Sequence, residues 1–405
     1  MGRSLTLSLS SLDFISFNKL AYSRFMYTVA EILKLQDWYA FGRTPLEIAE
    51  RVREICRRAM MHVVPSDFSK LDGTISNLCR YMERAVCMRA FRTEYHEVLL
   101  DLMGSQFGKK GVGAFGTFYE TLFTRLSGSP ETSNFNSMDT AFTAYVGFRL
   151  QGLSPVDAYA ALGIYGGDDG LTADIDPKCF TQSAQRLGLN LTSSKLERGM
   201  EGITFLARMY TPDVWSGDPN SCCDLKRQLS KFHTRVGSEA CEPEKKLAEK
   251  SFSFYLTDKN TPVIGLFVRR VCCLGDRYSG FWNEQTINAP DKQYCSLFED
   301  DDQYPNYQHE WFEEYARRVI PGFDETEWKM WLASCNTLTD LLSPPCLSNP
   351  VTLLEPGMTI NGEGQPRCAE VAEEHVHNEA CAKECLLKEI KSSELRDRVK
   401  DLPIE

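Results

Sequence analysis

No stretch of this chain approaches the roughly 18 consecutive apolar residues that a membrane-crossing helix needs, so none is expected. The amino terminus does not have the order of a secretory signal. Leu5, Leu7, Leu9, Leu12 and Phe14 alternate with other residues, without a basic flank, a compact apolar block and a small-residue cleavage site. Met1-Gly2-Arg3-Ser4-Leu5-Thr6 formally fits an N-myristoylation pattern, but a match this short recurs by chance, and an ordinary chain start is expected. A disulfide framework is also missing: the 15 cysteines are odd in number and irregularly spaced, which suits free thiols in a reducing compartment. Positive charge is in deficit, and a net charge of −11 excludes a protein that coats nucleic acid wholesale. The glycine-rich run from Gly108 to Gly116 lacks the Gly-Lys-Ser/Thr ending of a phosphate-binding P-loop. No internal repeat is visible.

What is present is ordinary globular material. Of the 405 residues, 42% are hydrophobic and 25% charged, enough for a large core in two or three domains. Basic residues gather locally: positions 221–270 hold ten Lys/Arg against six Asp/Glu, a local +4 in an acidic chain. The acidity sits partly in Glu299-Asp300-Asp301-Asp302 and after Glu370.

Apolar spacing predicts helices over 19–35 and 45–60. Arg51, Arg53, Arg57 and Arg58 give the second a basic side, either solvated or facing RNA or a triphosphate. A β-like run at His62-Val63-Val64 follows, then a helix from Ile75 to Met103 and a loop or hairpin over 108–116. Helices are expected at Thr132–Leu150 and Pro155–Leu162. A hairpin over Ile164–Thr172 has Gly167-Asp168 at its turn. A helix at Pro177–Leu187 and strands at Leu189–Leu191 and Ile203–Met209 complete an α+β pattern with a mainly antiparallel sheet. Residues 238–342 read as mostly helical. Pro344-Pro345 marks a boundary, and 349–405 has the polar composition of a disordered tail.

Three segments carry the chemistry, and each has a bland reading. In Asp67-Phe68-Ser69-Lys70-Leu71-Asp72-Gly73-Thr74, Asp67 closes a strand and Asp72 opens a helix, as two surface carboxylates also would. In Ser127-Gly128-Ser129-Pro130-Glu131-Thr132-Ser133-Asn134-Phe135-Asn136, Thr132 or Ser133 can cap the helix, and Thr132 shares a face with Asn136. In Gly166-Gly167-Asp168-Asp169-Gly170, two carboxylates tip an apolar hairpin, where a solvated turn is the commoner meaning. Order and spacing join them: Asp67 precedes Asp168 by 101 residues with the Ser-Gly loop between. Carboxylates converging from neighbouring strands suit Mg²⁺, which binds one or two of them plus substrate phosphates.

This order resembles motifs A, B and C of RNA-dependent RNA polymerases of positive-strand RNA viruses, in the picornavirus-like supergroup. Motif A is Asp-x4-Asp, motif B is Ser-Gly-x3-Thr-x3-Asn and motif C is Gly-Asp-Asp, and all three fit without gaps. The sequence around Asp67 and Ser127-Gly128-Ser129-Pro130 is similar to the nodavirus form. Gly188-Leu189-Asn190-Leu191-Thr192-Ser193-Ser194-Lys195 resembles motif D, and Ile203 to Tyr210 resembles motif E, the primer-grip hairpin.

The resemblance implies a polymerase palm, an antiparallel RRM-like sheet packed on helices, with partial fingers and a mostly helical thumb. Its divisions would be a lead-in at 1–60, a palm at 61–216 with a fingers insertion near 93–125, a thumb at 217–348 and a tail at 349–405. It implies template-directed nucleotidyl transfer from a nucleoside triphosphate to an RNA 3′-hydroxyl, releasing pyrophosphate. Asp67 and Asp168 would hold two Mg²⁺ ions, with Mn²⁺ as a substitute, assisted by Asp169 and the Phe68 carbonyl. Asp72, Ser127, Gly128, Thr132 and Asn136 would bind the nucleotide and its 2′-hydroxyl. Lys195 would be the general acid, and Arg208 would contact product-strand phosphates. Implied partners are RNA template and nascent RNA, nucleoside triphosphates and other replicase components. The implied location is the host cytoplasm, at membrane-associated replication complexes reached through partners or other regions.

The family places a large fingers domain before motif A, and only 66 residues precede Asp67. Most of the fingers, including the basic motif F, is expected to be absent, as in a fragment or one product of a longer replicase. An inactive palm–thumb module that binds RNA or replicase partners is therefore an alternative. A reverse transcriptase is another, though it would carry a bulky residue in place of the Asp72/Asn136 pair. In the tail, His375, His377, Cys381 and Cys385 have spacings of a Zn²⁺ site, but four ligands from one short helix are awkward, and a helix without metal is expected.

Overall fold

The computed structural model describes residues 9–112, 118–234, 242–275, 304–345 and 347, and two short strands at 358–360 and 366–368. The His375/Cys385 cluster and Gly2 lie outside the described residues. Two helices open the chain, α1 (Leu9–Lys34) and α2 (Pro45–Arg58). In α2, Thr44 caps the Glu47 N–H while the Glu47 carboxylate accepts from the Thr44 N–H, Pro45 fills the first turn, and Arg57 and Arg58 close the last.

The organising strand is β1 (His62–Phe68). After it come α3 (Leu71–Thr74), α4 (Asn77–Ala90), a 3₁₀ turn at Thr93–Tyr95 and α5 (His96–Gly104). The single helix expected over 75–103 is thus broken. Phe91 is extended and stacks edge-on against Phe25 at 5.3 Å, while the His96 ring bonds the Phe91 carbonyl, so both halves fold onto α1. The glycine-rich run supports a small hairpin, β2 (Lys110–Val112) and β3 (Phe118–Glu120).

Helices α6 (Thr132–Leu150) and α7 (Pro155–Ala160) lead to the hairpin β4 (Ile164–Gly166) and β5 (Asp169–Ala173). Helix α8 (Pro177–Leu187) follows, stopped by Gly188 at φ 79°, a left-handed position where glycine has no Cβ penalty. Leu189 still bonds back to Ala184, so the next strand, β6 (Leu191–Ser193), starts later than Leu189. β7 is Leu196–Glu197. The segment read from its pattern as a strand over 203–209 is a hairpin, as its resemblance to motif E implied: β8 (Thr204–Phe205) and β9 (Arg208–Tyr210), which β10 (Ser221–Cys223) extends.

The main sheet runs β4-β5-β1-β6, with β7 also on β1, and its pairings are antiparallel. A proline in so central a strand needs explaining, because it has no N–H to give. The Pro65 carbonyl points to the Ser194 N–H, so its nitrogen faces the gap between β6 and β7, where no ladder bond is lost. Alternate β1 side chains enter separate cores. Val64 and Phe68 join Phe135, Phe180 and Tyr22, whereas Val63 joins Ile55, Ile164 and Tyr210.

Among the described residues from 225 to 334 the regular elements are α-helices: α9 (Leu225–Phe232), α10 (Pro243–Asp258), α11 (Ile264–Leu274), α12 (Glu310–Val319) and α13 (Glu325–Ser334). They share a core in which Phe267, Trp328 and Trp331 stack. Strands β11 (Met358–Ile360) and β12 (Pro366–Cys368) pair with each other. Among the described residues no helix is long and apolar enough to cross a membrane.

Asp174, at φ 51°, ties β5 to the start of β1: its carboxylate accepts N–H bonds from Met60 (2.7 Å), Met61 (2.8 Å) and His62 (3.1 Å). Burial works against the charge, but the three donors outweigh it and hold the carboxyl below its usual range. A depressed carboxylate contributes stability above its unfolded value and loses it as pH falls through the folded one. Asp174→Ala should therefore cost about 1 kcal/mol at pH 7, discounted for partial exposure. In urea unfolding the cost should shrink below about pH 4. An equal cost at pH 7 and pH 3 contradicts the role.

Candidate active site

Strand register brings the acidic residues together. Ser66 pairs with Gly170, so one step further along the ladder Asp67 comes opposite Asp169, and Asp168 stands at the hairpin tip beside it. Gly170 permits the close approach: a Cβ there would lie 2.5 Å from the Ser66 hydroxyl and 2.8 Å from the Tyr165 ring. Gly167, at φ 73°, makes the two-residue turn. The field is visible at Asp169, whose carboxyl is pushed up to about 6 by burial and then by the charges of Asp168 and Asp67, with Arg227 and the Leu206 N–H opposing. Converging hard oxygens that repel one another are a donor set whose strain a divalent cation relieves. The residues present fit that group.

Helix α6 positions the hairpin. The Ser137 hydroxyl accepts from the Gly167 N–H (2.8 Å) and donates to the Ser133 carbonyl, while the Thr140 hydroxyl donates to the Gly167 carbonyl (2.8 Å). The same helix positions the polar set behind Asp168. Asn136 donates to the Asp72 carboxylate (2.8 Å), and the Ser127 hydroxyl donates to its other oxygen. Lys70, left-handed at φ 53°, turns the chain from β1 into α3 so that Asp72 can meet them. Asp72, Ser127, Thr132, Asn136 and Asp168 line one cavity of about 640 Å³. Asp67 and Asp169 line a second, of about 310 Å³, with Arg227 from α9.

A third component gave no signal in the sequence. Arg80, Glu83, Arg125, Glu131 and Asp139 are buried together behind α6. Arg125 donates to Glu83 (2.6 Å), Glu131 (3.0 Å) and Asp139 (3.2 Å), and Arg80 to Glu83 (3.1 Å) and Glu131 (2.5 Å). Tyr22 donates to the free side of Glu131. Burial and then the charge of Glu83 push the Asp139 carboxyl well up, with the charges of Arg125 and Arg80 opposing.

Several expected sites differ. Arg208 cannot reach a product strand, because it is buried and its guanidinium pairs with Asp258 (2.7 Å) and Ser221, joining β9 to α10. Lys195, exposed between β6 and β7, pairs with Glu197 (2.8 Å) and lines neither cavity. Thr132 does not cap its helix; its hydroxyl donates to the Leu126 and Ser129 carbonyls. Gly128, at φ 84°, turns the loop before α6, and Phe68 buries its ring in the core. Arg51 and Arg58 donate to the carbonyls of Ala161, Leu162 and Gly163, just past α7. The motif E hairpin is strained, since Leu206 and Ala207 both have positive φ (46° and 57°). That turn presents the Leu206 N–H to Asp169.

Among the described residues, the one group of three ligating side chains within 4.8 Å of one another is Asp213, Asp218 and His309, not the sheet carboxylates. The His309 ring explains that group without a metal. Its Nδ1 accepts the Trp311 N–H that begins α12, so in the neutral ring Nε2 carries the proton that meets Asp213 at 3.0 Å. Among the described residues, the ligating atoms of the sheet carboxylates do not form such a group.

The chain is similar in sequence to viral RNA-directed RNA polymerases. Within that class its relatives are of the nodavirus type. It is 32% identical over 247 residues to the polymerase of greasy grouper nervous necrosis virus, a match covering 59% of this chain and 24% of that protein. It is 30% identical over 260 residues to the polymerase of Pariacoto virus, covering 62% and 26%. The chain thus spans about a quarter of the length of these relatives. No protein-family model matches it. A solved structure similar to it is the RNA-dependent RNA polymerase of a human picorbirnavirus, at 18% identity and a TM-score of 0.47 over 62% of this chain and 50% of that one.

Thr140→Val keeps shape but strands the Gly167 carbonyl. We expect it to cost about 1–2 kcal/mol in urea unfolding and to weaken Mn²⁺ binding at the carboxylates. A Mn²⁺ titration and a stability both like those of the wild type would remove α6 as the support of the hairpin.

Proposed function

We propose that the chain carries the palm and thumb of an RNA-directed RNA polymerase. The reading rests on one observation above all: register sets Asp67, Asp168 and Asp169 at one end of an antiparallel sheet, beside a cavity walled by Asp72, Ser127 and Asn136. The α+β unit to Trp215 would be the palm, the helices from α9 onward the thumb, and the β2–β3 segment the remnant of the fingers.

Asp67 and Asp168 would hold divalent cations, Mg²⁺ or Mn²⁺, with Asp169 and the Phe68 carbonyl assisting. Such ions, when bound, neutralise the triphosphate and lower the barrier to attack by the RNA 3′-hydroxyl. The protein residues do the placing. Asp72 and Asn136 offer an acceptor and a donor to the incoming 2′-hydroxyl, a match that a deoxyribose leaves unpaired. Thr132 would line the wall on which the nucleotide lies, and Gly128, at φ 84°, would turn the loop that carries Ser127 to it. Lys195 is the proposed general acid, once it exchanges Glu197 for the departing pyrophosphate. With Arg208 internal, Arg227 is the cation that faces the carboxylates from the thumb side. RNA template, nascent RNA and nucleoside triphosphates are the proposed ligands. Other replicase components, and a site at host membranes reached through them, complete the proposal.

Primer extension on a self-priming RNA hairpin with Mg²⁺ or Mn²⁺ tests it. The wild type should incorporate ribonucleotides, and Asp168→Ala should lose at least about a thousandfold in rate while keeping its unfolding midpoint. Synthesis by Asp168→Ala at the wild-type rate would defeat the assignment. RNA binding without synthesis by the wild type would leave a palm–thumb module that is not itself an enzyme.

A further inference from the structure

We propose that Arg125 is a positioning residue for sugar selection: it fixes which way the Asn136 amide points. The inference rests on the polymerase reading and goes one step deeper. Arg125 is wholly buried and lies on the far side of Asn136 from the cavity, so it does not touch a nucleotide. Its Nε–H donates to the Asn136 Oδ1 at 2.6 Å. A guanidinium has only donors, so it can be satisfied by the oxygen of an amide and never by the nitrogen. The oxygen is therefore turned inward, and the Asn136 NH₂ must face the Asp72 carboxylate, which it reaches at 2.8 Å.

The consequence is a site of fixed polarity. Ser127 and Asn136 both donate to Asp72, so the carboxylate is held as an acceptor, and the second N–H of Asn136 remains as a donor. One donor beside one acceptor is the complement of a hydroxyl. Were the amide free to flip, its oxygen would meet the Asp72 carboxylate, and the site would offer acceptors alone. Asn136 by itself does not choose between these states: Asp72 at one end of the amide and Arg125 at the other both select the first, and Arg125 does so from outside the cavity.

Arg125 is in turn held in one orientation. Its planar fork reaches Glu83, Glu131 and Asp139 at once, and its backbone N–H donates to the Asp72 carbonyl at 2.8 Å. Burying charges in this way is costly, and apolar residues of similar volume are often as stable. Orientation of the amide gives the cluster a use that stability does not. Arg80 provides the internal control, because it shares Glu83 and Glu131 but makes no bond to Asn136.

The test is the ratio of kcat/KM for a ribonucleoside triphosphate to that for its 2′-deoxy analogue, measured on the chain by primer extension. R125K keeps the charge but loses the fork, and should lower the ratio about tenfold, the effect of one hydrogen bond made only with the correct sugar. R80K should leave the ratio unchanged even where it lowers stability. In an N136A background, R125K should change the ratio no further, since it acts through the amide. A wild-type ratio in R125K, an equal fall in R80K, or full additivity with N136A overturns the inference while leaving the polymerase reading intact. A wild type with no ribose preference overturns both. If R125K does not fold, the unmodified chain supplies the test: a 2′-fluoro nucleotide accepts but cannot donate, so it should be used less well than the 2′-hydroxyl form. Equal use overturns the fixed polarity.

Discussion

The site depends on one constraint: helix α6 is buried on nearly every side while carrying Asn134, Asn136, Ser137, Asp139 and Thr140, each of them buried too. Buried polar groups need partners, and the partners of this helix are the parts of the site. Ser137 and Thr140 bind the backbone of the carboxylate hairpin, Asn136 binds Asp72, Asn134 bonds Tyr39 and the Met26 carbonyl, and Asp139 belongs to the charge cluster. One helix thereby sets the distance between the carboxylate hairpin and the Asp72 side chain. Satisfying its hydrogen bonds and assembling the site are the same event.

Around that helix the electrostatics are divided by burial. The charge cluster behind α6 is closed to water and bonded within itself, so it acts as a rigid mount. The sheet carboxylates are open to the cavities, and Asp67 and Asp168 remain exposed. At Asp169 their repulsion is opposed by Arg227 and the Leu206 N–H. The strain of the Leu206–Ala207 turn falls at that same point, where backbone geometry brings a donor to a carboxylate that burial disfavours.

Much of the fold was legible in the sequence, for physical reasons. The helices Thr132–Leu150 and Pro177–Leu187 have the bounds read from the sequence, and at the second the proline at its start and the glycine at its end set them locally. The hairpin at Gly167-Asp168 was equally local. The misses came where distant contacts decided. The helix over 75–103 broke because Phe25 draws Phe91 and Tyr95 onto α1. The site divides in the same way. Asp67, Asp72, Asn136 and Asp168 could be named from motif order. Arg208 looked like an RNA contact because nothing in the sequence shows that Asp258, fifty residues on, neutralises it. Arg125 and Thr140 were missed because an isolated arginine or a helical threonine acquires meaning only once its partners are in place.

The measurement that bears most directly on this account is the structure of the chain with Mn²⁺ and a non-hydrolysable nucleoside triphosphate, with the ions located by anomalous scattering. The account requires manganese between Asp67 and Asp168, and the ribose 2′-oxygen against Asp72 and Asn136. Manganese bound instead at Asp213, Asp218 and His309, with the sheet carboxylates empty, would contradict it.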